Sequence, residues 1–125
     1  MPRTLIHGDV KVANFAFLPD ARVAAFDWAM MGNAPASYDL GWYVAVNASR
    51  LTRSKEDVLG LYRSALDNRL PTPLPSDVWQ ALERAGIVAG ARMLLWSKAL
   101  AVEAGRAGAV EEWQWWSDRL EMAFS

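Results

Sequence analysis

Three short apolar runs open the chain: Thr4-Leu5-Ile6, Phe15-Ala16-Phe17-Leu18 and Val23-Ala24-Ala25-Phe26. Each is bounded by polar or turn-forming residues and too short for a helix, so each predicts a strand. Pro19-Asp20-Ala21 supplies the turn between the second and third, which makes a small hairpin. Two strands do not persist alone in water, so this hairpin must pack on something larger. From about Ser37 the period changes. Leu40, Tyr43, Val44 and Val46 mark a helix over 38–49. Ser54, followed by Lys55-Glu56-Asp57, predicts a capped helix that runs to about Arg69. Leu70-Pro71-Thr72-Pro73-Leu74-Pro75 is a stiff connector, after which Ser76 or Asp77 is placed to cap a long helix reaching about Ala104. Its middle is apolar on nearly every face, which predicts a central position. Gly105 and Gly108 interrupt the pattern, and a last helix follows over 109–123. The fold class is α+β, mostly helical.

Composition narrows the picture. A 53% hydrophobic chain of 125 residues can fill the core of one domain. Its net charge of -1 excludes a strongly basic nucleic-acid binder and gives no electrostatic case for an anionic membrane. With no cysteine, disulfides and thiolate metal sites are excluded. Met1-Pro2-Arg3-Thr4 lacks the apolar segment of a secretory signal. The most apolar stretch, 85–102, contains Arg92 and Lys98 and predicts a buried helix and not a membrane span. A cytoplasmic protein is expected.

Between the first two strands lie His7-Gly8-Asp9-Val10-Lys11-Val12-Ala13-Asn14, with the form H-x-D-x-x-x-x-N. The only histidine of the chain stands there, and Asp27 ends the third strand. Polar groups bunched between apolar runs need partners, because an unpaired buried one costs roughly 1–3 kcal/mol. The pattern suits phosphoryl transfer. One carboxylate must sit beside an acceptor hydroxyl, while a carboxamide and a second carboxylate hold Mg²⁺ against nucleotide phosphates. Taken singly, Asp9, Asn14 and Asp27 are also what ordinary turn chemistry at strand ends would place there.

The joint pattern resembles the aminoglycoside phosphotransferase and choline-kinase-like family, the small-molecule branch of the protein-kinase-like fold. Three linked segments carry it: His7-Gly8-Asp9 through Asn14, then Phe26-Asp27-Trp28, then Gly32-Asn33-Ala34-Pro35-Ala36-Ser37-Tyr38-Asp39-Leu40. The resemblance implies that Asp9 is the catalytic base and that Asn14 and Asp27 are the Mg²⁺ ligands. It implies that His7 and Asp39 brace the loop, with ATP as co-substrate and a small-molecule alcohol as acceptor. Lys11 either reaches the transferred phosphate as a nucleotide-binding residue or is solvated. Family members often carry an acidic residue after Asp-Trp, where this chain has Ala29.

No G-x-G-x-x-G occurs, and few residues precede His7. The expectation is therefore that residues 1–125 are a C-terminal lobe, with a short hairpin bearing the catalytic loop and the nucleotide-clamping N-terminal lobe absent. Such a lobe would be inactive alone. The alternative is a non-catalytic remnant serving as a binding or interaction module.

Trp113, Trp115 and Trp116 lie near Glu111, Glu112 and Asp118. Aromatic faces and carboxylates together can hold a cationic substrate, but one packed and one solvated helix face is the commoner outcome and the preferred one here. Gly86 and Gly90, one turn apart, predict close helix packing.

Overall fold

A computed structural model describes all residues, 1–125. Four short strands, β1 (Thr4–Ile6), β2 (Phe15–Phe17), β3 (Val23–Ala25) and β4 (Gly32–Ala34), precede four helices: α1 (Ser37–Val46), α2 (Lys55–Asp67), α3 (Ser76–Glu103) and α4 (Ala109–Phe124). The protein is α+β and mostly helical. β2 and β3 form the expected hairpin, with Phe15 opposite Ala25 and Phe17 opposite Val23. Nothing in the pattern predicted β4. Gly32-Asn33-Ala34 is poor strand material by propensity, yet it pairs antiparallel with β1, Thr4 opposite Ala34 and Ile6 opposite Gly32. Arg3 fastens this pair by donating from Nε to Asn33 Oδ1 at 2.9 Å. The β1–β4 ribbon therefore brings both ends of the 7–31 segment to the start of α1.

The core lies where α1 crosses α3 and α4 covers both. Val44, Ala45, Ile87, Ala91 and Trp116 form its centre, with Leu40, Leu59 and Trp79 extending it under α2. The α1–α3 crossing is made by glycines. A Cβ on Gly41 would lie 1.8 Å from the Gly86 carbonyl oxygen, and one on Gly90 would lie 2.5 Å from that of Gly41. Backbone meets backbone there, so the Gly86 and Gly90 expectation of close packing is met.

Two helix boundaries differ from the sequence expectation. α1 stops at Val46, not 49, because the Asn47 side chain donates to the Tyr43 carbonyl (3.0 Å) that its own backbone N–H also uses (3.1 Å). Neither Ser76 nor Asp77 caps α3; Pro75 is the capping residue and both lie inside the first turn. Ser54 does cap α2, its hydroxyl accepting from the Asp57 N–H at 3.0 Å. α3 is also less enclosed than its composition suggested. Trp79, Leu82, Gly86, Ile87, Gly90 and Ala91 are buried, but beyond them Met93 and Trp96 are exposed, and only 22% of its most apolar window is buried. By length and composition that helix could cross a bilayer.

Candidate functional site

The loop between β1 and β2 is built on Gly8. Its φ is +83°, and a Cβ there would stand 2.1 Å from the Met30 carbonyl oxygen, so only glycine joins His7 to Asp9 in this path. The Asp39 carboxylate, in the first turn of α1, receives the His7 N–H on Oδ2 (2.7 Å) and the Gly8 N–H on Oδ1 (2.8 Å). It holds the loop and does not cap its helix. The His7 ring is buried against Trp28 and Phe15. Its Nδ1 accepts from the Asp9 N–H at 3.2 Å, so Nε2 carries the proton and donates to the Phe26 carbonyl at 2.7 Å. One imidazole thus ties the backbone of Asp9 to the residue next to Asp27.

Asp9 is held on both carboxylate oxygens. Trp42 Nε1 donates to Oδ1 at 3.0 Å, while Lys11 Nζ (2.6 Å) and Asn14 Nδ2 (3.0 Å) donate to Oδ2. Asn14 Nδ2 also donates to the Asp9 carbonyl at 2.9 Å, closing the loop on itself. The Lys11 hydrogen bond, opposed by partial burial and aided by Trp42 and Asn14, keeps the Asp9 carboxyl below the usual carboxylate range. Reciprocally, the bond to Asp9 raises Lys11, and the charge of Asp27 adds to that effect.

Asp27 enters from the other ribbon. The Phe26 N–H donates to the Asn14 carbonyl at 2.9 Å, so Asp27 follows the residue bonded to Asn14. Its backbone is left-handed, φ 57° and ψ 62°, an uncommon state that Asp tolerates and that gathers at functional sites. Its carboxylate is free of hydrogen bonds from the protein, as is Asn14 Oδ1. No set of three or more His, Asp or Glu side chains gathers anywhere in the chain. The free oxygens of Asp27 and Asn14, at one end of a hairpin, suit Mg²⁺, which is held by few protein groups and draws its other ligands from water and phosphate.

Two residues of this site escaped the sequence reading. Trp42 lies one turn beyond Asp39, a spacing that puts both on one face of α1. Asn47, with no exposed surface, accepts the Val12 N–H at 2.9 Å and donates to the Val10 carbonyl at 3.2 Å. A polar residue closing an apolar helix was the one available signal. Along α1, then, Asp39, Trp42 and Asn47 hold successive parts of residues 7–12.

The tryptophan and carboxylate cluster near the C-terminus is filled by the chain's own cations. Lys55 and Arg119 stand over the Trp115 ring at 4.8 and 5.4 Å, and Trp116 is wholly buried. This is the packed outcome expected for it.

Compared with known proteins, residues 1–75 match the model of the APH family, described as the phosphotransferase enzyme family. No curated protein and no solved structure matches the chain.

Proposed function

Because the chain belongs to the phosphotransferase enzyme family, we propose that it serves to move the γ-phosphate of ATP to a hydroxyl of a small molecule. The observation that carries the proposal is the Asp9 carboxylate, held by Trp42 on one oxygen and by Lys11 and Asn14 on the other. In this reading Asp9 Oδ2 takes the proton of the acceptor hydroxyl as that oxygen bonds to the γ-phosphorus and the bond to the leaving ADP oxygen breaks. Lys11 pairs with an oxygen of the transferred group. When its ammonium turns from Asp9 to the phosphate, the hydrogen bond that lowers the Asp9 pKa is lost, so the carboxylate becomes a stronger base at the moment it is needed. Asn14 Oδ1 and the Asp27 carboxylate are the atoms that would hold Mg²⁺. When bound, that ion neutralises charge on the phosphates. His7 and Asp39 keep the loop in shape.

The same reading makes the chain the C-terminal lobe of a protein-kinase-like fold, cytoplasmic, acting with a nucleotide-clamping lobe. Asp9→Asn, in protein that carries such a lobe, is expected to abolish phosphate transfer to a panel of alcohols while leaving Mg–ATP binding and Tm nearly unchanged. Asp27→Asn weakens Mg–ATP binding as well. Residues 1–125 assayed alone with ATP and Mg²⁺ are expected to give little turnover, because positioning of bound reactants supplies roughly 7–11 kcal/mol of barrier reduction. Loss of folding in Asp9→Asn without a specific kinetic effect would make Asp9 a structural residue and sink the proposal.

A further inference from the structure

A cleft of about 440 Å³ opens between the C-terminal end of α1, the last turns of α3 and the start of α4. That volume is within the range of small-molecule sites, about 300–1,000 Å³. Alanines make much of its wall, among them Ala45, Ala48, Ala101 and Ala109, and their small side chains leave the space open. Its charged residues are Lys98, Arg106 and Glu112.

The hydrogen-bond inventory of this cleft is one-sided. Glu112, its only acidic residue, is already taken: Oε2 pairs with Lys55, and Oε1 receives Lys98 Nζ (2.9 Å) and Trp116 Nε1 (2.8 Å). Lys98 Nζ also donates to the Ala45 carbonyl at 2.9 Å, so one of its three N–H groups has no protein acceptor. Arg106 is exposed and pairs with no carboxylate, which leaves its whole guanidinium fork open. The Ser49 hydroxyl has no hydrogen-bond partner either. A cation entering here would have to displace Lys55 or Lys98 from Glu112. An anion meets open donors and a net positive lining.

We propose that this cleft binds a small organic oxyanion, a carboxylate or a phosphate ester on a short carbon skeleton. Arg106 supplies the paired donors, Lys98 and Ser49 add one each, and the alanines contact the carbon chain. The site is independent of the phosphoryl-transfer reading, since none of its residues belongs to the loop that bears Asp9.

The test is a titration of the ¹⁵N-labelled 125-residue chain, followed by amide NMR shifts, with succinate, glycerol 3-phosphate, neutral glycerol and cationic putrescine. One or both anions should give saturable shifts confined to 45–49, 97–101 and 106–112, and which anion does so tells carboxylate from phosphate. Arg106→Ala, at an exposed side chain without partners, should fold normally and weaken that binding about tenfold, with Ser49→Ala weakening it less. Absence of saturation with both anions, equal shifts from glycerol or putrescine, or unchanged affinity in Arg106→Ala would each overturn the assignment.

Discussion

Replacing Asn47 by alanine tests whether α1 holds the loop as the geometry says. The side chain has no exposed surface and makes three hydrogen bonds: from the Val12 N–H, to the Val10 carbonyl and to the Tyr43 carbonyl. Tyr43 keeps its bond from the Asn47 backbone N–H, so truncation orphans two groups, one on each side of Lys11. An unpaired buried polar group costs roughly 1–3 kcal/mol. Val12 is partly exposed and water can reach its side of the loop, which puts the sum low in the range, about 2–3 kcal/mol. For a domain of this size that is a fall in Tm of roughly 6–12 °C. Urea unfolding followed by far-UV circular dichroism gives the free energy, and hydrogen exchange at the Val12 amide gives the location. Asn47→Asp is the control. It keeps an acceptor for Val12 but turns a buried carboxylate oxygen toward the Val10 carbonyl, and should destabilise at least as much. An Asn47→Ala protein within about 0.5 kcal/mol of the parent, the usual scatter of surface changes, with unaltered Val12 exchange, would refute the idea that this side chain anchors the loop.

Asp39→Asn leaves one acceptor oxygen for two amides, so either the His7 or the Gly8 N–H loses its bond; a stability loss of about 1–2 kcal/mol is expected in urea melts. Gly86→Ala would gain about 1 kcal/mol in helix propensity, yet its Cβ would meet the Ser37 carbonyl oxygen at 2.4 Å. The net result should be destabilising, and a raised Tm would show that α1 and α3 separate more easily than their packing implies. Burial pushes the Glu112 carboxyl up, but hydrogen bonds from Lys55, Lys98 and Trp116 outweigh it and hold the group below the usual carboxylate range. Its ionised form therefore stabilises the fold above the unfolded-state value near ~4.3, and that stabilisation is lost as pH falls through the folded value. Glu112→Gln should flatten the acid limb of a Tm-against-pH profile; an unchanged acid limb would count against the network. Trp42→Phe keeps the ring but removes the donor to Asp9 Oδ1. NMR titration of the Asp9 carboxyl should then give a higher midpoint, and an unmoved one would mean that the indole N–H does not act on it.

Much of this protein was present in its linear pattern. The helices, the Ser54 cap, the β2–β3 hairpin and the bunching of His7, Asp9, Lys11 and Asn14 all depend on neighbours within a turn or a hairpin, where period and propensity act directly. Asp39 was legible as a partner of the loop only through the family resemblance; residue chemistry alone equally allowed a helix cap. Tertiary structure decided the rest. β4 is a strand because β1 offers it unpaired N–H and C=O groups, not because Gly32-Asn33-Ala34 prefers to be one. Asn47, which closes α1, has its amide engaged by Val10 and Val12, 37 and 35 positions away. The carboxylate among the tryptophans is engaged by Lys55, 57 positions away. α3 shows an apolar flank because α1 and α4 cover only part of its length. Local sequence states what each segment can bury or bond. Which distant group arrives to meet it depends on the path of the whole chain.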